Sequence, residues 1–526
     1  MTESSPKLAS SACVAGVATT RNRKARRKAR NLGLSIECSF SIAGLESRGT
    51  LPEGVNWALL VVEIDPRRTS PDQGEQGNMG PHWKQRDQRL TAAARRLTLS
   101  TDFENRAHRD RPWILEGDLL EGGRQCRQRL RIDPVSGTII ERGDLAGEPD
   151  VTWPEGCLVL PGFVDIHVHC RDDSGGSQHH KEDFHSASLA AIHGGVVLVG
   201  DMPNNPDPPD DEAGFMRKQA LVRERALVDV VIYGGVVAGS RPFRDDIPYK
   251  CYFGPSVGDI NARGSRSVEE LLAPYSGHLV VFHAEDPETL RRCSGARTHE
   301  QRRPPEAEAI AIERILELAR ELGFQPHIAH LSTEIGLEEI RKARRQGVAV
   351  SCEVAPHHLT FDDGNRGSFS RGDWLQMNPP LRSRKDREAL IEGLIGGEIE
   401  ILATDHAPHT IEENEAGISG VPLLDTHGAF LCRLAADGIG WETLVERASR
   451  APAALFRSFT DGTFGDLQPG SVASLAIVDP RREWRVRAEE IRSRAGWSPF
   501  EGVALPGQVI ATIVRGRCYQ PTETIA

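Results

Sequence analysis

Four short stretches of this sequence concentrate residues able to bind a metal or move a proton. In DIHVHCR, His167 and His169 lie two residues apart. On a strand that step turns both imidazoles to one face, about 7 Å apart along the backbone, with Arg171 at the next same-side position. Such a pair suits a divalent metal, and the guanidinium beside it suits an anion. VVFHAED supplies His283, and QPHIAHLS supplies His327 and His330. His330, at the strand's end, is the stronger ligand; His327 is read as packing or orienting. In ILATDHAPHT, three aliphatic residues in four positions read as a buried strand. The run nevertheless ends in Asp405, His406 and His409, groups that are costly to bury without partners. Asp405 is placed to ligate a metal and to accept a proton from a metal-bound water. His357 and His358 of EVAPHHL are further imidazoles without distinctive spacing, and His406 is assigned packing or a supporting role.

Lys250 of YKCYFG sits among aromatic and apolar neighbours. Its residue context leaves two readings open: a strand-end lysine reaching solvent, or a buried amine of lowered pKa that takes up carbon dioxide as a carbamate. A carbamate is an anionic, two-oxygen ligand able to bridge two metals. Four histidines, Asp405 and one bridging anion are enough ligands for two zinc ions sharing a hydroxide. The implied chemistry is hydrolysis, or its reversal, at a carbonyl-type centre.

The elements that must position these groups are short apolar runs alternating with helical patterns. CLVLPGFVDIHVH, GGVVLVGDMPN, LVDVVIYGGVV, IPYKCYFG, HLVVFHAED, FQPHIAHLS, VAVSCEVAPHH and EIEILATDHAPH read as strands. PPEAEAIAIERILELARELG and STEIGLEEIRKARRQG repeat apolar residues at three and four, as amphipathic helices do. Eight such strands predict a (β/α)8 TIM barrel, an α/β fold in which strand ends converge on one face. Strand-rich texture also flanks this middle on both sides, as in WILEGDLL and GQVIATIVRGRCYQP, which predicts a small β-sandwich made from both flanks. The expected limits are 1–111 for a poorly structured basic extension, 112–160 and 461–526 for the two parts of the sandwich, and 161–460 for the barrel.

Composition agrees with a soluble enzyme. The chain has 526 residues, 39% hydrophobic and 26% charged, and no apolar run nears the roughly 20 residues of a spanning helix. Its 10 cysteines are scattered without a CxxC pair, which points to a reducing cytoplasm. Residues 1–111 hold 19 Lys and Arg against 12 Asp and Glu, although the whole chain carries a net charge of -11. The run RNRKARRKAR from Arg21 is read as a solvated tail, with contact to nucleic acid as the alternative.

DIHVHCR, HKEDF, DMPNNPDPP, HAED, HIAHLST, CEVAPHHL, MNPPLRSRKD and ATDHAPHT, in this order, resemble the dihydroorotase family of the amidohydrolase superfamily. The similarity runs from about Trp113 to Tyr519. It implies a metal-dependent barrel with a small β-sandwich, and a cytoplasmic hydrolase acting on cyclic amide C–N bonds. By this resemblance His167, His169 and Asp405 hold one zinc, His283 and His330 the other, and N6-carboxylated Lys250 bridges them. Arg171, Asn204 and His409 would grip the substrate carboxylate, Asn378 would contact the pyrimidine ring or the loop above it, and Asp405 would shuttle the proton. The implied reaction is reversible cyclisation of N-carbamoyl-L-aspartate to (S)-dihydroorotate, a step of pyrimidine synthesis. Two positions depart from the family pattern: Asp173 replaces a usual proline, and Ser474 a usual aspartate.

The nearest competing reading is another cyclic amidase, such as a dihydropyrimidinase, hydantoinase or allantoinase, whose substrates lack this carboxylate. A second is a non-catalytic partner of aspartate transcarbamoylase, which the full set of ligand positions disfavours. Homo-oligomers or association with that transcarbamoylase are compatible with either.

Overall fold

The computed structural model describes residues 38–42, 45–49, 111–253 and 267–520. The chain divides into two compact units, Met1–Asp87 and Gln88–Ala526. In the first, the described residues form an antiparallel hairpin, Cys38–Ile42 with Leu45–Gly49, in which Ile42 faces Leu45. Apart from this hairpin, the expected 1–111 extension before Arg111, including the basic run Arg21–Arg30, lies outside the described residues.

In the second unit the polar-ended runs form eight short parallel strands. They are β1 (Phe163–Val168), β2 (Val196–Asp201), β3 (Asp229–Ile232), β4 (Tyr249–Tyr252), β5 (Leu279–His283), β6 (Gln325–Ile328), β7 (Ser351–Val354) and β8 (Ile401–Leu402). Each pairs with its successor, Gly234–Gly235 carrying β3 on to meet β4. Beyond β8, His406 pairs in parallel with Val168 at the end of β1, and the His169 N–H donates to the His406 carbonyl at 2.8 Å. Every residue of β1, β2, β4 and β5 is buried. Burial on both faces explains why these strands read as continuous apolar runs rather than alternating ones.

Helices occupy the connections, and their ends are written in the sequence. Pro305–Leu322 starts with proline at its first position, where no intrahelical N–H is needed, and stops at Gly323, whose φ of 79° suits glycine. Its buried residues Ala307, Ala311, Ile315 and Ala319 recur every four positions and form one packed stripe. Arg384–Gly396 begins with a capping box between Ser383 and Asp386.

The two flanks meet in one sheet. Leu475–Asp479, Leu158–Pro161 and Trp113–Glu121 lie side by side near its middle, with Gln508–Val514 and Arg124–Asp133 outside them. Alternate side chains of the central strands serve two separate cores. Leu158, Leu160, Ala476 and Val478 join the large core of the parallel strands, whereas Val159, Leu475 and Ile477 join a smaller one with Trp113, Leu130 and Ile513. The sheet therefore couples the flanks to the strands that carry the polar ends.

Close packing at one helix end shows how little slack the connections have. The helix Phe184–His193 ends at Gly194, whose carbonyl accepts from Gly428 N–H at 3.0 Å. A Cβ at Gly194 would lie 1.9 Å from the Leu424 carbonyl oxygen. Because that obstacle is backbone, Gly194→Ala should destabilise the protein by about 1–3 kcal/mol or more, read as a lowered thermal midpoint. An unchanged midpoint would contradict this packing.

Candidate metal centre and anion pocket

The ends of the parallel strands bring most of the sequence-predicted ligands into one buried cluster. His167 Nε2 and His169 Nε2 lie 3.2 and 3.3 Å from the same Asp405 oxygen. His283 Nδ1 faces His330 Nε2 at 3.0 Å, and the His330 ring is 5.3 Å from that of His167. Lys250 is fully buried, and its Nζ has no hydrogen-bond partner. Burial pushes its pKa down to about 8, against the pull of Glu353 and Asp405. Burial is the main cause of the lowered basicity of His167, His169, His283 and His330, and the Lys250 ammonium adds to it at all four, so it lies within electrostatic range of each. His167, His169, Lys250, His283, His330 and Asp405 thus meet, although their positions span more than 200 residues of sequence.

Hydrogen bonds behind the histidines decide which nitrogen points inward. His167 Nδ1 is held by Glu353, His169 Nδ1 donates to Asn204 Oδ1 at 2.5 Å, and His283 Nε2 donates to Glu285 Oε2 at 2.8 Å. Three acceptors, each on the outer nitrogen, leave His167 Nε2, His169 Nε2 and His283 Nδ1 with lone pairs directed at the cluster. Burial reinforces the neutral form, holding His167 at about 4 and His169 and His330 well below the usual range. Convergent imidazole lone pairs, a carboxylate and an unpartnered buried amine are a donor set that fits divalent metal ions of the zinc type. His167, His169 and Asp405 place their ligating atoms within 4.8 Å of one another.

Backbone strain is concentrated at the same place. Among the described residues, four non-glycine residues have positive φ, and three of them are Arg171 at 57°, His330 at 36° and Asp405 at 47°. Such conformations persist only where surrounding contacts fix them. At Asp405 the fixing contacts surround the neighbouring residues. Asp165 accepts from Thr404 N–H and His167 N–H, both at 3.1 Å. His406, left without a firm assignment by its sequence context, accepts from Leu423 and Leu424 N–H through Nδ1 and donates to Glu182 through Nε2 at 3.3 Å. It anchors the loop rather than joining the cluster.

Beside the cluster lies a cationic pocket. Arg171 is 2% exposed, and its NH2 is 3.3 Å from His409 Nε2, while its Nε and NH1 have no partner. His409 Nδ1 contacts Glu413 at 3.1 Å and Lys181 Nζ at 3.5 Å, and Lys181 pairs with Glu413 at 3.0 Å. The adjacent Asp172 does not neutralise Arg171, because it is engaged by Arg225 and His179. A buried guanidinium with two unsatisfied edges costs free energy that an incoming carboxylate would recover. Asn204 reaches this region with its carbonyl already taken by His169, so its amide NH2 is the group left to face a ligand.

The remaining candidates are supports or lie at the rim. His327 is held between Ser351 at 2.7 Å and Glu353 at 3.2 Å, as an orienting residue would be. His358 Nε2 donates to the Pro379 carbonyl and His299 to that of Met377, which fixes the loop carrying Asn378. Asn378 Oδ1 has no partner, and His357 is buried with both ring nitrogens unpartnered. Asp173, in place of the usual proline, accepts from Gly175 and Gly176 N–H at 2.9 and 2.8 Å and closes a turn. The Ser474 hydroxyl accepts from Arg515 N–H at 3.0 Å, and its carbonyl accepts from Gly162 N–H at 2.9 Å, just before β1 begins.

Sequence reasoning missed Glu353, Glu285 and the Lys181–Glu413 pair. A signal existed for the first: a glutamate inside the apolar strand SCEV needs a buried partner. Its three partners, His167, His327 and the His330 N–H, could not be named without the fold.

Comparison with known proteins agrees with this geometry. A model of the amidohydrolase family matches residues 158–518. The dihydroorotase of Pyrococcus abyssi is 36% identical over 414 residues, covering 78% of this chain and 96% of the relative. That of Thermococcus kodakarensis is 37% identical over 419 residues, covering 78% and 94%. Among solved structures, an L-hydantoinase (dihydropyrimidinase) from Arthrobacter aurescens superposes with a TM-score of 0.71 at 27% identity, over 78% of this chain and 97% of that one. The chain belongs to the amidohydrolase family and, within it, to the dihydroorotases.

Proposed function

We propose that this protein catalyses the reversible cyclisation of N-carbamoyl-L-aspartate to (S)-dihydroorotate with loss of water. The observation that carries the reading is the buried Arg171 guanidinium, unpaired on two edges, directly beside a metal-type donor cluster. Hydantoinase-like substrates bring no carboxylate to such a pocket, whereas carbamoyl-aspartate and dihydroorotate do.

The pairing of β1 to β8 in chain order, with His406 meeting Val168, supports a closed (β/α)8 barrel. The separate small core of the flank sheet supports a companion β-sandwich. In this reading His167, His169 and Asp405 would hold one zinc, and His283 and His330 a second. Lys250, carboxylated by carbon dioxide, would supply an anionic oxygen ligand, and the burial that lowers its pKa favours the neutral amine which that uptake needs. When bound, the two metals lower the pKa of a water to about 7 and draw electrons from the carbonyl under attack.

The chain's own groups do the rest. Arg171, His409 and the Asn204 amide hold the α-carboxylate and so fix the ring atoms against the cluster. Asn378, on the loop braced by His299 and His358, contacts the ring from above. In the cyclising direction the ureido nitrogen forms a bond to the side-chain carboxyl carbon, and a carbon–oxygen bond breaks. Asp405 takes the proton from that nitrogen and returns it to the departing oxygen, and a second proton taken from solvent completes the water that leaves, because the side chain enters as a carboxylate. Hydrolysis runs the same transfers backwards. The rigid, buried loop around Asp405 keeps its carboxylate within reach of both atoms.

Two outcomes test this. The zinc-loaded protein should interconvert carbamoyl-aspartate and dihydroorotate, and Arg171→Ala should lower kcat/KM by on the order of 100-fold or more without loss of metal; unchanged kinetics would contradict the assignment. Glu353→Gln should weaken metal retention against a chelator by about 10–100-fold, because it loosens His167. Equal retention in the variant would show that the carboxylate does not orient a ligand.

A further inference from the structure

Tyr252 lies two residues after Lys250 on β4, so both side chains leave the strand on the same face. Its neighbours face the other way. Tyr249, on that outer face, has a fully engaged hydroxyl, which donates to the Arg244 carbonyl and accepts from Phe243 and Arg244 N–H. The Tyr252 hydroxyl, by contrast, has no hydrogen-bond partner, although the residue is only 3% exposed. Its ring stands 5.4 Å from Lys250 Nζ and 6.0 Å from the His283 ring, tilted 34° to it. In register the phenol lies level with His283 and one same-face step beyond Lys250.

A buried hydroxyl without a partner is costly, and phenylalanine would fill the same space without that cost. Tyr252 and Arg171 are close enough to influence each other electrostatically, with Asp405 the next group to do so. A phenol is protonated at neutral pH and can act as a hydrogen-bond donor. The guanidinium edges and the phenol are thus buried polar groups without partners that lie within electrostatic range of each other.

We infer that the Tyr252 hydroxyl is a further substrate-binding group, donating a hydrogen bond to the carboxylate that Arg171 pairs with. It selects ring substrates that carry a carboxylate over the same ring without one. The inference rests on the function proposed above and adds a residue that neither the metal ligands nor the Arg171, Asn204 and His409 set supplies.

Tyr252→Phe removes only the hydroxyl and keeps the packed ring. KM for dihydroorotate should rise about tenfold or more, with the loss in KM rather than kcat. Binding of orotate, which keeps the carboxylate, should weaken by a similar factor, whereas binding of dihydrouracil, which lacks it, should not change. Unchanged orotate affinity and KM would overturn the inference, as would a fall in kcat alone, which would put the hydroxyl at the reacting carbonyl. Failure of the unmodified protein to bind orotate or to turn over dihydroorotate would instead remove the proposed function, and this inference with it.

Discussion

A single buried carboxylate, Glu353, ties three parts of the parallel sheet together. One oxygen meets His167 of β1 and the His330 N–H beyond β6, and the other meets His327 of β6. Burial alone would raise this carboxyl, but His167 and His327 together hold it far below the usual range. It is therefore a fixed anion in a low-dielectric interior, where a hydrogen-bonded charge is strong and an unpaired one costly. Everything else in the cluster follows from that point. His167 can turn only one nitrogen to the centre, and His330 is held in a conformation that its backbone would not choose unaided.

The rest of the site repeats this arrangement in weaker form. Asn204 sets His169, Glu285 sets His283, and Asp165 and Glu182 brace the loop that carries Asp405. Glu182 also accepts from the Ser493 hydroxyl and the Arg494 N–H, so the C-terminal flank takes part in holding the loop. Trp497 Nε1–H donates to the His409 carbonyl at 3.0 Å from the same flank. The anion pocket and the cluster are thus positioned by elements from opposite ends of the second unit. The groups that could pair with the buried Arg171 guanidinium are committed elsewhere in this scaffold, Asp172 to Arg225 and His179 and the Asn204 carbonyl to His169.

Much of this was legible in the sequence, for local reasons. The two-residue step of His167 and His169 fixes their shared face, and the abrupt change from ILA to TDH marks where a buried strand becomes a site. The choice of His330 over His327 also follows from position, since β6 ends at Ile328 and His330 lies just beyond it. What escaped depends on contacts across long stretches of chain. Glu353 and His167 are 186 residues apart, and the partners of His406, whose supporting role is expected from sequence, are set only by the fold as Leu423, Leu424 and Glu182. Asn204 was read as a ligand for substrate, but half of its amide belongs to His169. The apolar strands LVLP and LAIVD gave no hint that alternate side chains serve two cores.

The central claim is that one buried pocket joins a two-metal donor set to a carboxylate-binding arginine. A crystal structure with zinc and dihydroorotate, read by anomalous scattering at the zinc edge, tests it most directly. The account predicts two zinc peaks, one between His167, His169 and Asp405 and one at His283 and His330, with Lys250 between them and the ligand carboxylate paired to Arg171. A map without zinc at the histidines, or a ligand whose carboxylate turns away from Arg171, would contradict it.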